Sequence, residues 1–144
     1  MVDLRELVVR HYYNPLTNGS NSIKRLLPAV LETSSYLQEK YSEPVYGTAA
    51  MRSLNFSDQV WIKRDENGRV LSPYDLLPPL QAAEGEHPGI SDGGAAMTAF
   101  AKMQFMEMTE EERENIRAAL LKYCELDTFA MVLVWEAWKA WLSE

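Results

Sequence analysis

The sequence predicts a mainly α-helical protein with one short β-hairpin at about residues 60–71. Three observations carry that expectation. Apolar residues recur at three- and four-residue intervals through much of the 144 residues, the spacing of one helix face. The run Thr109-Glu110-Glu111-Glu112 is a capping box that opens the longest such stretch. The pair Asn67-Gly68 lies between two short apolar segments, as a tight hairpin turn requires.

In chain order, Val2 to Tyr13 places Leu4, Leu7, Val8 and Tyr12 at helical spacing, and Asn14-Pro15 and Asn18-Gly19 end the pattern. Ser20 or Ser22 can cap a second helix with Ile23, Leu26, Leu27, Val30 and Leu31 on one side. Pro28 falls inside it and is expected to shorten or kink it. Ser34 to Tyr41 reads as a short third helix, and residues 44 to 58 as irregular. Val60 to Arg64 and Arg69 to Leu71 form the expected hairpin. Pro73, Pro78, Pro79, Gly85, His87, Pro88 and Gly89 mark a long surface loop. A Met-rich helix over Gly94 to Met106 starts at Ser91 or Asp92, and a last helix runs from Thr109 to about Leu142, with one bend expected near Tyr123.

The length fits one domain, and 47% apolar residues are ordinary for a globular chain. A net charge of −7 argues against a self-sufficient nucleic-acid binder, which carries a basic face. It leaves a nuclease open, because metal ions can supply the positive charge. The lone Cys124 excludes an internal disulfide and points to a reducing, cytoplasmic compartment. The first ten residues lack the apolar core of a signal peptide, and Thr128 to Trp135 is too short to span a membrane.

The last helix is the most informative. Leu120, Tyr123, Asp127, Met131, Val134, Trp138 and Trp141 follow at steps of three and four, so they share a face. Asp127 stands in the middle of this apolar stripe. A lone carboxylate there must be paired, hydrogen-bonded or bound to metal. Tyr123, one turn earlier, points the same way. The plain alternative is an acid that pairs with a nearby Lys or Arg or bonds a helix terminus.

Tyr123-Cys124-Glu125-Leu126-Asp127, followed by Thr128 and an apolar run to Trp138, resembles the third motif of tyrosine-type DEDD exonucleases. The likeness is strongest to RNase H-like domains linked to RecB-type nucleases in bacteria, a family otherwise of unknown function. Val2-Asp3-Leu4 resembles the segment after that family's last sheet strand. Gly19-Ser20-Asn21-Ser22-Ile23-Lys24 resembles its ordered turn and helix start, and Ile90-Ser91-Asp92-Gly93-Gly94-Ala95-Ala96-Met97 its Gly-rich helix opening. The resemblance implies 3′-to-5′ hydrolysis of phosphodiesters by two divalent ions, Mg²⁺ being the natural choice for carboxylate oxygens. It implies Asp127 as a metal ligand and Tyr123 as the residue that orients the attacking water.

The chain also departs from that pattern. None of its six aspartates (Asp3, Asp58, Asp65, Asp75, Asp92, Asp127) has an acid two positions later, so the first motif, Asp-x-Glu on a strand, is absent. Glu84-x-Glu86 sits in a Pro/Gly-rich loop. The second-motif Asp and most of the central sheet are missing as well. The chain therefore reads as a single, incomplete domain over residues 1–144, the C-terminal helical half of an RNase H-like α/β fold, inactive alone. Nucleic acid is the implied partner. A homodimer, or a missing N-terminal nuclease portion, is the other expected partner, needed to cover the apolar last helix. The rival reading is a non-catalytic helical module that dimerises or binds a partner through that helix.

Other residues take plainer readings. Lys24 is the one candidate nucleic-acid contact, against a solvated first-turn lysine. Arg113, Arg117 and Lys122 alternate with Glu110, Glu114 and Glu125 as a solvent face. His11 and His87 have no second ligand at metal spacing. Cys124 is expected as a buried thiol, Met97, Met103, Met106 and Met108 as core filling, and Trp135, Trp138 and Trp141 as core or interface.

Overall fold

The computed structural model describes residues 3–82, 85–87 and 90–143, and it is mainly helical as expected. Val2 and Glu84, used in the sequence argument, lie outside the described residues.

Helix α1 (Leu4–His11) is capped by Asp3, whose Oδ1 accepts the Arg5 amide at 2.8 Å. It ends where Asn14 caps a one-turn 3₁₀ helix at Pro15–Thr17. Asn18 (φ 51°) and Gly19 (φ 75°) then take the left-handed backbone that breaks the chain toward α2. Helix α2 (Ile23–Thr33) buries Leu26, Leu27, Ala29, Val30 and Leu31 and carries on through Pro28. The expected shortening at Pro28 does not occur. Proline there removes only the amide that would bond the Lys24 carbonyl, and the buried face around it holds the helix. Ser34, fully buried, ends α2 and caps α3 (Ser35–Tyr41) through the Leu37 amide at 3.3 Å.

The segment from 42 to 78 is irregular but packed. Gly47 (φ 80°) lies so close to Phe56 that a Cβ there would overlap its carbonyl group. Trp61, with no exposed surface, packs among Tyr46, Phe56 and Phe129 with ring centroids 5.6, 5.1 and 6.0 Å away.

The hairpin expected at 60–71 is a correction. Its turn and one bridge form: Asp65 Oδ1 accepts the amides of Asn67 and Arg69, Gly68 is left-handed at φ 78°, and the bridge of Arg64 to Val70 is closed by the Asp65 amide on the Arg69 carbonyl at 2.9 Å and the Leu71 amide on the Lys63 carbonyl at 2.8 Å. The pairing does not extend beyond this bridge, because the amides before Lys63 are claimed elsewhere. Those of Trp61 and Ile62 both bond the Tyr41 carbonyl at the end of α3, at 3.1 and 3.0 Å. The Val70 amide bonds Glu32 Oε2 at 2.7 Å. The only strand ladder among the described residues is β1 (Leu80–Ala82) against β2 (Gly85–His87), antiparallel with Leu80 opposite His87. It lies inside the stretch expected to be loop.

Helix α4 (Gly93–Phe105) is capped by Asp92 through the Ala95 amide at 2.8 Å. Helix α5 (Glu110–Trp141) opens with the expected capping box and runs 32 residues without a break, including at Tyr123. It is the spine of the molecule and packs against α2, α3, α4, β1 and the 3₁₀ turn at Pro73–Leu76. Its buried residues are Tyr123, Leu126, Phe129, Ala130, Leu133, Val134 and Ala137. The core face is therefore rotated from the expected one: Met131 is 47% exposed, while Trp138 and Trp141 are half-buried, with ring centroids 5.5 and 6.1 Å from Tyr12.

Two further expectations are corrected. Cys124 is exposed rather than buried, on the side of α5 away from Leu126 and Ala130. Two of the four methionines expected in the core lie outside it, Met97 being 76% and Met106 56% exposed, while Met103 and Met108 are half-buried.

Candidate functional site

Three stretches far apart in sequence meet beside the middle of α5. Helix α5 contributes Tyr123 and Asp127, one turn apart on one side. The first turn of α2 contributes Lys24. The residues leading into α4 contribute the Ser91 carbonyl and Gly93, whose added Cβ would lie 4.0 Å from the Tyr123 hydroxyl. A fourth residue, Tyr74, comes from the 3₁₀ turn that begins at Pro73.

Lys24 Nζ donates to the Ser91 carbonyl at 2.6 Å and to the Tyr123 hydroxyl at 2.9 Å. The same ammonium stands 4.3 Å from the Tyr74 ring centroid and 4.5 Å from that of Tyr123. Such contacts contribute about 0.5–2 kcal/mol each, depending on solvent. The Tyr74 hydroxyl donates to Asp127 Oδ1 at 2.6 Å. Burial, reinforced by the hydrogen bond to that carboxylate, pushes the Tyr74 phenol well above its ordinary value. Both tyrosines are buried, whereas Lys24 and Asp127 are half-buried at the rim.

The chemistry of this notch follows from its donors. An ammonium only donates, so the Tyr123 oxygen is an acceptor toward Lys24 and its own hydrogen is aimed elsewhere. Lys24 has a third N–H beyond the two it uses. Asp127 has a second oxygen beyond the one bonded by Tyr74. The notch thus offers one carboxylate oxygen, one phenolic donor and one ammonium N–H to a ligand.

Two more acids on α5 are held by phenols in the same manner. Glu125 accepts from Tyr46 at 2.7 Å, from Asn55 at 2.6 Å and from Ser53. Burial works to raise its carboxyl, but these three donors outweigh it and hold the carboxyl below the usual range. Glu136 accepts from Tyr41 at 2.9 Å and pairs with Lys40 at 2.9 Å. Each carboxylate pins a different segment onto α5.

The residues singled out from sequence, Lys24, Tyr123 and Asp127, do come together, while Asp3 is a helix cap at α1. Tyr74 and the Ser91 carbonyl were missed. Ser72-Pro73-Tyr74 gives no periodic signal, and a backbone carbonyl gives none at all. The implied two-metal centre does not fit these residues by themselves. Among the described residues no group of three or more His, Cys, Asp or Glu side chains converges, at Asp127 or elsewhere. Among them, too, no helix is long and apolar enough to cross a membrane. Set against protein-family models, curated proteins and solved structures, the chain matches none.

Proposed function

We propose that this chain is the C-terminal helical part of an RNase H-like exonuclease domain of the tyrosine DEDD type, acting on nucleic acid in the cytoplasm and inactive alone. One observation carries the reading. The three stretches that resemble the family (Gly19–Lys24, Ile90–Met97 and Tyr123–Asp127) meet in one notch, joined through Lys24 across 67 and 99 residues of sequence. On this reading Asp127 keeps an oxygen for a divalent ion whose other acids come from an N-terminal nuclease portion or a partner outside these residues. Tyr123 keeps its phenolic donor, and the spare N–H of Lys24 meets a phosphate. The test is incubation of the pure chain with Mg²⁺ and 5′-labelled single-stranded DNA and RNA. The oligonucleotides stay intact with the chain alone. They are trimmed from the 3′ end once a polypeptide carrying an Asp-x-Glu strand and a second-motif Asp is added, and Asp127→Asn abolishes the trimming. Hydrolysis by the chain alone that disappears in Asp127→Asn, or no hydrolysis in the combined sample, overturns the reading.

A second reading is a non-catalytic module that associates through α5. It is favoured by Leu121, Cys124, Thr128, Met131 and Trp135, which follow at steps of 3, 4, 3 and 4 and are all exposed. That is the seam a partner helix packs against. Sedimentation distinguishes it: a dimer that Trp135→Glu dissociates supports it, and a monomer at all concentrations removes it.

A further inference from the structure

We propose that the exposed apolar side of α4, together with the acidic start of α5, docks a basic amphipathic helix of a protein partner. The proposal stands apart from the nuclease reading. On α4 only Ala99 is buried. Met97 is 76% exposed, Phe100 53% and Phe105 87%, and Met106 just beyond the helix is 56% exposed. At 100° per residue, Met97, Phe100, Ala101 and Phe105 fall within about 140° of arc, with Ala99 opposite. The stripe is therefore one continuous surface on the order of several hundred Å², large enough to mark an interaction site. Methionines let such a surface adapt to its ligand.

The rim decides the partner. Glu107, Glu110, Glu111 and Glu114 follow Phe105 within nine residues, and all are exposed. Glu114 pairs with Arg117 at 3.7 Å across solvent, while Glu107, Glu110 and Glu111 form no ion pair among the described residues. The nearby Arg113 is committed to the Met103 carbonyl at 2.6 Å. Three acids in the first turn of α5 also suit its dipole, but that role accounts neither for Glu107 nor for the bare stripe. An anionic membrane is disfavoured, because interfacial helices carry Lys and Arg beside their apolar face. A second copy would bring acid against acid. A helix with apolar residues at i, i+3 or i+4 and i+7 and flanking Lys or Arg matches both the stripe and the rim.

The probe is a fluorescein-labelled Leu/Lys amphipathic helical peptide, its control the same composition scrambled to abolish the apolar face, and the readout anisotropy on the full chain. The helical peptide binds at least about tenfold tighter than the scrambled one. Phe100→Ser and Phe105→Ser each weaken it by a similar factor, and the triple change Glu107→Gln, Glu110→Gln, Glu111→Gln weakens it several-fold and flattens its salt dependence. The substituted side chains are exposed, and circular dichroism verifies unchanged helix content. Equal binding of both peptides overturns the proposal, as does indifference to the Phe variants. So does binding to phosphatidylglycerol vesicles, or a dimer that Phe105→Ser dissociates.

Discussion

Lys24 and Asp127, the two charged side chains of the notch, form no ion pair; two phenols stand between them. Lys24 donates to Tyr123, Tyr74 donates to Asp127, and the ammonium lies over both rings. The opposite charges are thus linked through a polar, aromatic bridge that leaves Lys24 one unused donor and Asp127 one unused acceptor oxygen. A direct bridge would have used them up.

Removing the hydroxyl of Tyr74 breaks the tie between the Pro73–Leu76 turn and α5. Tyr74→Phe is expected to lower unfolding free energy by about 1–2 kcal/mol, reduced from the buried maximum because Asp127 is partly solvated. Urea denaturation measures it. An unchanged midpoint would show that the Tyr74–Asp127 bond is not made in solution.

The Lys24–Tyr123 contact is measurable by a double-mutant cycle. Lys24→Met and Tyr123→Phe should couple by about 0.5–1.5 kcal/mol. Lys24→Arg should not restore the contact, because a planar guanidinium cannot replace a compact ammonium between two rings. Full rescue by arginine would contradict the geometry.

Stability should fall at both ends of the pH range. The carboxyl of Glu125 is lowered on folding, so its contribution is present above the ordinary carboxylate range and is lost as pH drops through the lowered value. The phenols of Tyr41, Tyr46 and Tyr74 are raised by burial and by their carboxylate partners. Their contribution is present below the ordinary phenol value of about 10 and disappears as pH climbs beyond it toward the folded values. Thermal melts across this range check both limbs. Tyr46→Phe should soften each of them, since it removes one phenol and one of the three donors to Glu125.

Gly47→Ala is expected to cost about 2–3 kcal/mol, because the residue has a left-handed φ and its new methyl would meet the Phe56 carbonyl. In the same melt series Thr48→Ala, at the half-buried neighbour, measures the loss of the bonds its hydroxyl makes to the Val45 carbonyl and the Met51 amide. A Gly47 variant as stable as the parent would mean that the 47–56 contact is loose.

Millimolar Mg²⁺ should leave the melting temperature of the isolated chain unchanged, since a ligand stabilises only the state that binds it and no group of three such ligands converges at Asp127 among the described residues. A rise that Asp127→Asn cancels would reveal a site stronger than these residues provide.

The helices were legible because their signals are local. Thr109 with Glu112 marked the start of α5, Asp92 that of α4, and the apolar spacing of Leu26, Leu27, Val30 and Leu31 the buried side of α2. The segment 60–71 was misread because its turn is local but its pairing is not. Nothing near Trp61 announces that the Tyr41 carbonyl will take its amide and that of Ile62. The face of α5 was misjudged by a fraction of a turn because small residues, Ala130 and Ala137, let neighbouring elements approach where large residues were expected to point inward. In the site, Lys24, Tyr123 and Asp127 were found by type and spacing, whereas Tyr74 had neither.

The carboxylates of α5 receive their phenols from Tyr41, Tyr46 and Tyr74, which precede them by 95, 79 and 53 positions. Every one of these anchors closes a long loop, so none of the three ties can form until α5 exists. During synthesis the segments bearing these tyrosines therefore emerge well before their carboxylate partners, and the long helix acts as the latch that ties them together.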